Sequence, residues 1–395
     1  MTDKTVAASS HWASLTSAAT AAVIVGFAST ILVVIEGARA VGANAAQQAS
    51  TAAILCFAMA AASLYLAVRH RMPIMVAWST PGSALIISSA HGAITWPEAI
   101  GAFIFAGVLM VLTGLVRPLE RAIERMPAAI AAAMLAGVLL RFVLAVPGAT
   151  LASPLLVGPL VIAFFALRIF VPMYTVPVVV GLGLLLALFG SGFTHEVQLG
   201  ITPLTFDLPQ WNWQVMLSLG LPLYLVTMAS QNLPGFAVLK ANGYSAPVSS
   251  CLTVTGITSI ICAPFGSHAV NMAAITASLV AGPDAHPDPQ QRWKMIYPYT
   301  ALYIVFGLAA GTFVSLLGAL PPDIITAVAG LALFGPLMGG MSAMVKEPST
   351  LEAALVTFLV TASGISLYGV GAAFWGLLAG LLLWGAKQAL TRARS

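Results

Sequence analysis

Apolar runs of about 20 residues recur along the whole chain, each long enough to cross the hydrocarbon core of a bilayer as a helix. Prolines, single charges and short polar clusters separate them. Backbone inside a bilayer must satisfy its own N–H and C=O groups, which leaves helices or a closed barrel. Barrel strands need only about ten residues of alternating polarity, so runs of this length select helices. Of the 395 residues, 59% are hydrophobic and 7% charged, whereas a soluble domain carries about a quarter charged residues. A soluble fold has no means of covering that much apolar surface. The stretch Met1 to Trp12 lacks the basic segment, apolar core and cleavage site of a signal peptide, so the first apolar run is expected to stay in the membrane.

Breaking the chain at charges, prolines and polar clusters predicts about fourteen segments, near 15–35, 47–68, 73–91, 96–116, 127–146, 151–170, 173–191, 213–235, 244–262, 264–281, 296–317, 321–344, 349–367 and 369–390. With the N-terminus inside, alternation puts 14 of the 16 basic residues on the cytoplasmic side and leaves only Arg39 and Arg141 outside. That is the bias expected of a multi-pass inner-membrane protein with both termini cytoplasmic. The formal charge of +4 is spread singly between the runs, without the basic stripe of a nucleic-acid binder. Cys56, Cys251 and Cys262 lie inside apolar runs and form neither a disulfide framework nor a metal-ligand pattern. The 192–212 loop divides the chain into two halves of seven segments. An odd number per half requires opposite polarity if the halves are related, as in the inverted repeats of many secondary transporters.

Two segments are poor continuous helices, and both stand third in their half. One runs from Pro73 through Trp78, Ser79, Thr80, Pro81, Gly82 and Ser83; the other runs from Cys262 through Pro264, Gly266, Ser267 and His268. Proline lacks the donor and clashes with the preceding turn, so each is expected to run extended to mid-membrane and to become helical after Pro81 or Gly266. Two half-helix N-termini then face one central point, where free N–H groups favour a carboxylate. Simple kinking of two membrane helices is the plainer alternative.

Of the six histidines, His11, His70, His91, His195 and His286 lie in loops or at helix ends, and His268 alone sits at a deep break. An ionisable group at that depth is a functional candidate, and imidazole titrates near neutrality. A neutral imidazole bonded to a neighbouring helix is the bland alternative. Gln231 and Asn232 follow Ser230 inside an apolar run, where amides need a partner or a cavity. Asn271, three residues after His268, is expected on the same helical face. Trp78 offers a flat face to an aromatic ring or simply packs. Glu36 reads first as an interfacial ion pair with Arg39, and second as a proton-coupling group. The run from Arg117 to Arg125 reads as a surface helix without a substrate role.

At these residues the sequence resembles the benzoate:proton symporter family, through the stretches Ala77 to Ser83, Ala229 to Phe236, Lys240 to Tyr244 and Phe265 to Asn271. The likeness extends over essentially the whole chain. More distantly the layout resembles the uracil and nucleobase permeases and the sulfate-type anion transporters. In the nucleobase permeases the eighth and tenth helices each carry an acidic substrate-binding residue, and the corresponding positions here are Gln231 and His268. Replacing two acids by an amide and an imidazole suits an anionic ligand and argues against a nucleobase.

The resemblance implies an all-α protein with a core domain (15–116 and 213–317) that moves against a gate domain (117–191 and 318–390). It implies a secondary transporter that imports benzoate or a related aromatic carboxylate with protons. The carboxylate is expected between Ser83 and Ser267, assisted by Gln231, Asn232 and His268, with Trp78 near the ring. The expected partners are the aromatic acid, protons and the bilayer, with homo-oligomer formation left open. No HExxH, GxSxG or Walker pattern and no acidic cluster is present, which argues against an enzyme, a metal or a cofactor.

Overall fold

A computed structural model describes residues 2–28, 30–90, 94–116, 127–194, 196–273, 275–283, 285–365, 367–368 and 370–394. His91, His195 and the run Arg117 to Arg125 lie outside the described residues. The chain is mostly helical. The first half comprises α1 (Thr2–Ala28), α2 (Ile31–Ala40), α3 (Ala45–His70), β1 (Val76–Trp78), α4 (Thr80–Ala90), α5 (Trp96–Leu115), α6 (Ala128–Ala152), α7 (Pro154–Phe170) and α8 (Thr175–Leu186). The second half begins with α9 (Trp213–Ala241), which contains π-helical turns at Met216–Gly220 and Met228–Asn232. It continues with α10 (Val248–Cys262), β2 (Val270–Met272), α11 (Ile275–Ala281), α12 (Ile296–Leu308), α13 (Ala310–Gly318), α14 (Pro322–Met344), α15 (Leu351–Ser363) and α16 (Ala372–Arg394).

Among the described residues, eight helical stretches are long and apolar enough to cross a membrane, or nine when α12 and α13, bent by 57° at Ala309, count as one span. The helices sort into two packed groups. In one, α14 lies along α6, and α15 and α16 pack on α6 and on each other. In the other, α3 packs against α10, α12 and α13, and α5 against α10. Small residues set the α5–α10 approach: a Cβ on Gly256 would stand 2.9 Å from the Gly107 carbonyl oxygen. Such close backbone contact is how helices associate in lipid, where apolar burial alone gives no preference. Leu155, Ile162, Ile169 and Phe170 of α7 and its flank are more than 70% exposed, as expected of side chains solvated by lipid.

The expected 192–212 loop is a strap rather than a free loop. Its backbone donates from Thr202 to Leu308 O at 3.0 Å, from Thr205 to Ser50 Oγ at 3.0 Å and from Gln210 to Pro97 O at 2.8 Å. The Asp207 carboxylate accepts from Gln47 Nε2 and Trp96 Nε1, both at 3.0 Å. These bonds tie the crossover to α3, α5 and the α12–α13 bend.

Leu199 on this strap is 82% exposed, and the orientation expected from the basic-residue bias has it facing the periplasm. A single cysteine at Leu199 should therefore react with an impermeant maleimide in intact spheroplasts. Reaction only after lysis contradicts that orientation.

Candidate functional site

Both expected breaks are present, but they are built differently from each other. After α3 the chain turns at Pro73 and runs extended as β1, then enters α4 at Thr80. After α10 a short turn, Ala263–Phe265, leads to Gly266 at φ 103, and the chain stays extended through β2 before α11. Strands β1 and β2 pair antiparallel, with Val76 opposite Met272, Ala77 opposite Asn271 and Trp78 opposite Val270.

A two-stranded ribbon leaves two outer edges, and unpaired backbone there is costly where no water reaches. Side chains close them. Ser63 Oγ accepts from Val76 N at 2.9 Å, Ser259 Oγ from Val270 N at 3.0 Å, and Asn232 Oδ1 from Met272 N at 2.9 Å. Tyr299 donates its hydroxyl to Val76 O at 2.9 Å. Asn232, fully buried, is thus an edge partner of β2 and not a residue of an open site.

Two expectations are corrected here. Gly266 and Ser267 do not begin a helix: Gly266 N and Ser267 N bond back to Ala263 O and Cys262 O, closing the end of α10. The left-handed conformation suits glycine, and Thr51 packs where a Cβ would stand. Asn271 and His268 therefore share no helical face; Asn271 lies in β2, fully buried, opposite Ala77. The reason is long-range, since pairing with β1 satisfies this backbone in extended form.

His268 reaches across to the other half. Its Nε2 lies 3.1 Å from Ser79 O and 3.1 Å from Ser83 Oγ, so it docks on the first turn of α4 instead of a helix following Gly266. A carbonyl only accepts, so the Ser79 contact requires the proton on Nε2. Ser83 Oγ in turn donates to Ser79 O at 3.2 Å. Phe103 packs edge-on against the imidazole, with ring centres 6.2 Å apart. Ser79 also caps α4, its Oγ accepting from Gly82 N at 3.0 Å. Gly82 lets α4 approach Leu223 of α9. Ser79, Ser83, Ser267 and His268 are all at most 3% exposed.

The open space lies beside Trp78 and Thr80 instead. A cavity of about 70 Å³ is lined by Thr30 and Gly26 of the first span, Trp78, Thr80, Gln231, Thr276 and Tyr303, with Val25, Met59, Ala77 and Ala273. Of the expected residues it gathers Trp78, Thr80 and Gln231. Ser79 N bonds to Ala269 O, Pro81 has no N–H, and Gly82 N is taken by the cap, leaving the Thr80 N–H at the helix entrance. Gln231 sits in the second π-turn of α9, a feature common at functional sites. Thr276 Oγ1 is buried without a hydrogen-bond partner. The aromatic wall is fixed: Trp78 Nε1 donates to Thr30 Oγ1 at 2.8 Å, and its ring stands edge-on to Tyr303 at 6.4 Å. No Lys or Arg lines the cavity among the described residues. Glu36 lies elsewhere, 3.5 Å from Arg39.

Thr30, Thr276 and Tyr303 were not anticipated. Threonine in an apolar helix looks like any small packing residue. Tyr299 and Tyr303, four residues apart, were a usable signal for an aromatic face.

Residues 9–385 match the family model described as benzoate membrane transport protein. The chain belongs to that family. It is 39% identical over 360 residues to the inner membrane protein YdcO of Escherichia coli strain K12, covering 91% of this chain and 92% of the relative. It is 30% identical over 364 residues to the benzoate membrane transport protein of Acinetobacter baylyi, covering 92% of each. In fold, this family member is similar to the transmembrane domain of a cyanobacterium bicarbonate transporter, BicA, with TM-score 0.62, 14% identity and coverage of 94% and 97%. It is also similar to murine Slc26a9, an anion transporter in the inward-facing state, with TM-score 0.63, 12% identity and coverage of 95% and 68%. Membership of that family makes the chain a membrane transporter and not an enzyme.

The neighbouring amides of Gln231 and Asn232 should behave differently. Asn232→Leu strands the Met272 N–H and should cost about 1–3 kcal/mol, read as a lowered thermal midpoint. Gln231→Leu removes no edge partner and should leave the midpoint near wild type. Equal losses contradict this division of roles.

Proposed function

We propose that the chain imports benzoate or a related small aromatic carboxylate together with protons, by alternating access across the inner membrane. The observation that carries this reading is the cavity in which Thr80, Gln231 and Thr276 stand beside the Trp78 and Tyr303 rings. Neutral donors suit a carboxylate that must also leave, since a fixed cation would hold it more firmly. Aromatic walls suit its ring. The relative in Acinetobacter baylyi is named for benzoate.

In this reading β1–α4 and β2–α11 are the half-helices of a fourteen-segment, seven-plus-seven inverted repeat. Segments 15–116 and 213–317 form the core domain that carries the substrate. Segments 117–191 and 318–390 form the gate, and both termini face the cytoplasm. Ser79, Gly82, Ser83, Asn232, Gly266, Ser267 and Asn271 shape the site from behind instead of touching the ligand.

An anion entering against 100 mV, negative inside, opposes about 2.3 kcal/mol per charge. One accompanying proton removes that electrical cost and adds the pH gradient as a drive. His268 is the proposed coupling residue. It is bonded to the same α4 turn that presents Thr80 to the cavity, so anion and proton each favour the other's binding. Glu36, already paired with Arg39, is the second candidate.

Uptake of labelled benzoate into proteoliposomes with an imposed pH gradient tests this. Wild type should accumulate benzoate above equilibrium, whereas passive equilibration indicates a channel. His268→Gln should still bind benzoate, lose pH-driven accumulation, and show a flattened response between about pH 5 and 8. Wild-type accumulation with an unchanged pH profile in that variant removes His268 from the coupling.

A further inference from the structure

A second cavity, of about 560 Å³, opens at the end of α3, between the link that leads into β1 and the link that follows α11. Its walls include His70, Arg71, Tyr244, Gln291, Trp293 and Lys294. No carboxylate among the described residues lines it. The basic-residue bias puts this end of α3 on the cytoplasmic side, opposite the strap.

Three features make it more than a crevice between topology-setting charges. Arg71 is held at φ 51, a left-handed conformation unusual for a side-chain-bearing residue, where it closes α3 beside the cavity. Lys294 joins it from the short turn Arg292–Met295, so the two cations come from separate segments of the chain. Behind them Arg292 is 6% exposed and directs Nε to His286 O and Nη1 to Ala281 O, both at 2.8 Å. Carbonyl oxygens satisfy its donors but do not neutralise its charge. That guanidinium also stands beside the Tyr244 hydroxyl, which donates to Pro289 O at 2.8 Å. Asp288 lines the neighbouring cavity with Lys294, and its carboxylate accepts from Gln290 N at 2.8 Å. The cavity thus combines an excess of positive charge with the flat faces of Tyr244 and Trp293.

We propose that this cavity is a second binding site for an aryl carboxylate, with the carboxylate between Arg71 and Lys294 and the ring against Tyr244 and Trp293. It rests on the transport reading above, and gives the released anion a cytoplasmic station distinct from the transport cavity. Cations can serve here because the ligand is leaving into water, where exposed ion pairs are weak and short-lived. The Arg71 to Met75 link continues directly into β1, so occupancy here bears on the strand that frames the transport cavity.

Equilibrium binding of labelled benzoate to the full chain in nanodiscs of neutral phosphatidylcholine reads the number of sites. Wild type should bind two equivalents per chain and R71Q/K294Q one, while R71K/K294R should recover the second. Inorganic phosphate at equal concentration should leave the second equivalent in place. One equivalent in wild type together with normal transport overturns this site alone, as does an R71Q/K294Q variant that keeps two. Failure of R71K/K294R to recover the second equivalent, or displacement by phosphate, overturns the aryl-carboxylate assignment. Wild type that neither binds nor transports benzoate overturns the transport reading instead.

Discussion

Extended backbone in the middle of an apolar protein is tolerable only if each of its polar groups finds a partner, and the arrangement of this chain follows from that requirement. Strands β1 and β2 each satisfy one edge of the other. The outer edges fall to Ser63 on α3, Ser259 on α10 and Asn232 on α9, so three separate helices are fixed in place around one short ribbon. A single strand without its counterpart would leave several N–H and C=O groups unpaired at about 1–3 kcal/mol each. The two halves of the sequence are therefore bound to each other at the point where both interrupt their helices.

That constraint also divides the polar residues into two sets. Asn232, Ser79, Ser83, Asn271 and His268 hold the ribbon and the entrance of α4 together, and all of them are buried. Thr80, Gln231 and Thr276 line the cavity. In the proposed transport reading, keeping these sets apart would let a ligand exchange without loss of the bonds that keep the strands paired. His268 belongs by contact to the first set, yet it touches the turn that carries Thr80. The proposed coupling through that turn needs no direct contact between imidazole and substrate.

Much of this was legible in the sequence. The long apolar runs and the proline-marked interruptions at Pro73–Pro81 and Pro264–Gly266 located the helices and both breaks, and the motif around Trp78, Thr80 and Gln231 located one side of the cavity. What could not be seen was the pairing of β1 with β2, a contact between residues some 200 positions apart. Without it, local rules made Gly266 the start of a helix, when it is the end of one. The same gap hid the role of Asn232 and the burial of Ser83 and Ser267, between which the carboxylate was expected. Thr30 and Thr276 carried no local mark, because a threonine hydroxyl in an apolar helix usually bonds its own preceding turn. The tertiary fold decides which of them does not.

The central claim is that the ligand lies on the Trp78 side of the ribbon, with its carboxylate at the entrance of α4. A structure of the protein soaked with 4-iodobenzoate, with the iodine located by its anomalous signal, tests this most directly. The account predicts an iodine peak inside the cavity bounded by Trp78, Tyr303 and Gln231, and carboxylate density within hydrogen-bond distance of Thr80. A ligand lodged between Ser83 and Ser267, or no ligand on either side of the ribbon, contradicts it.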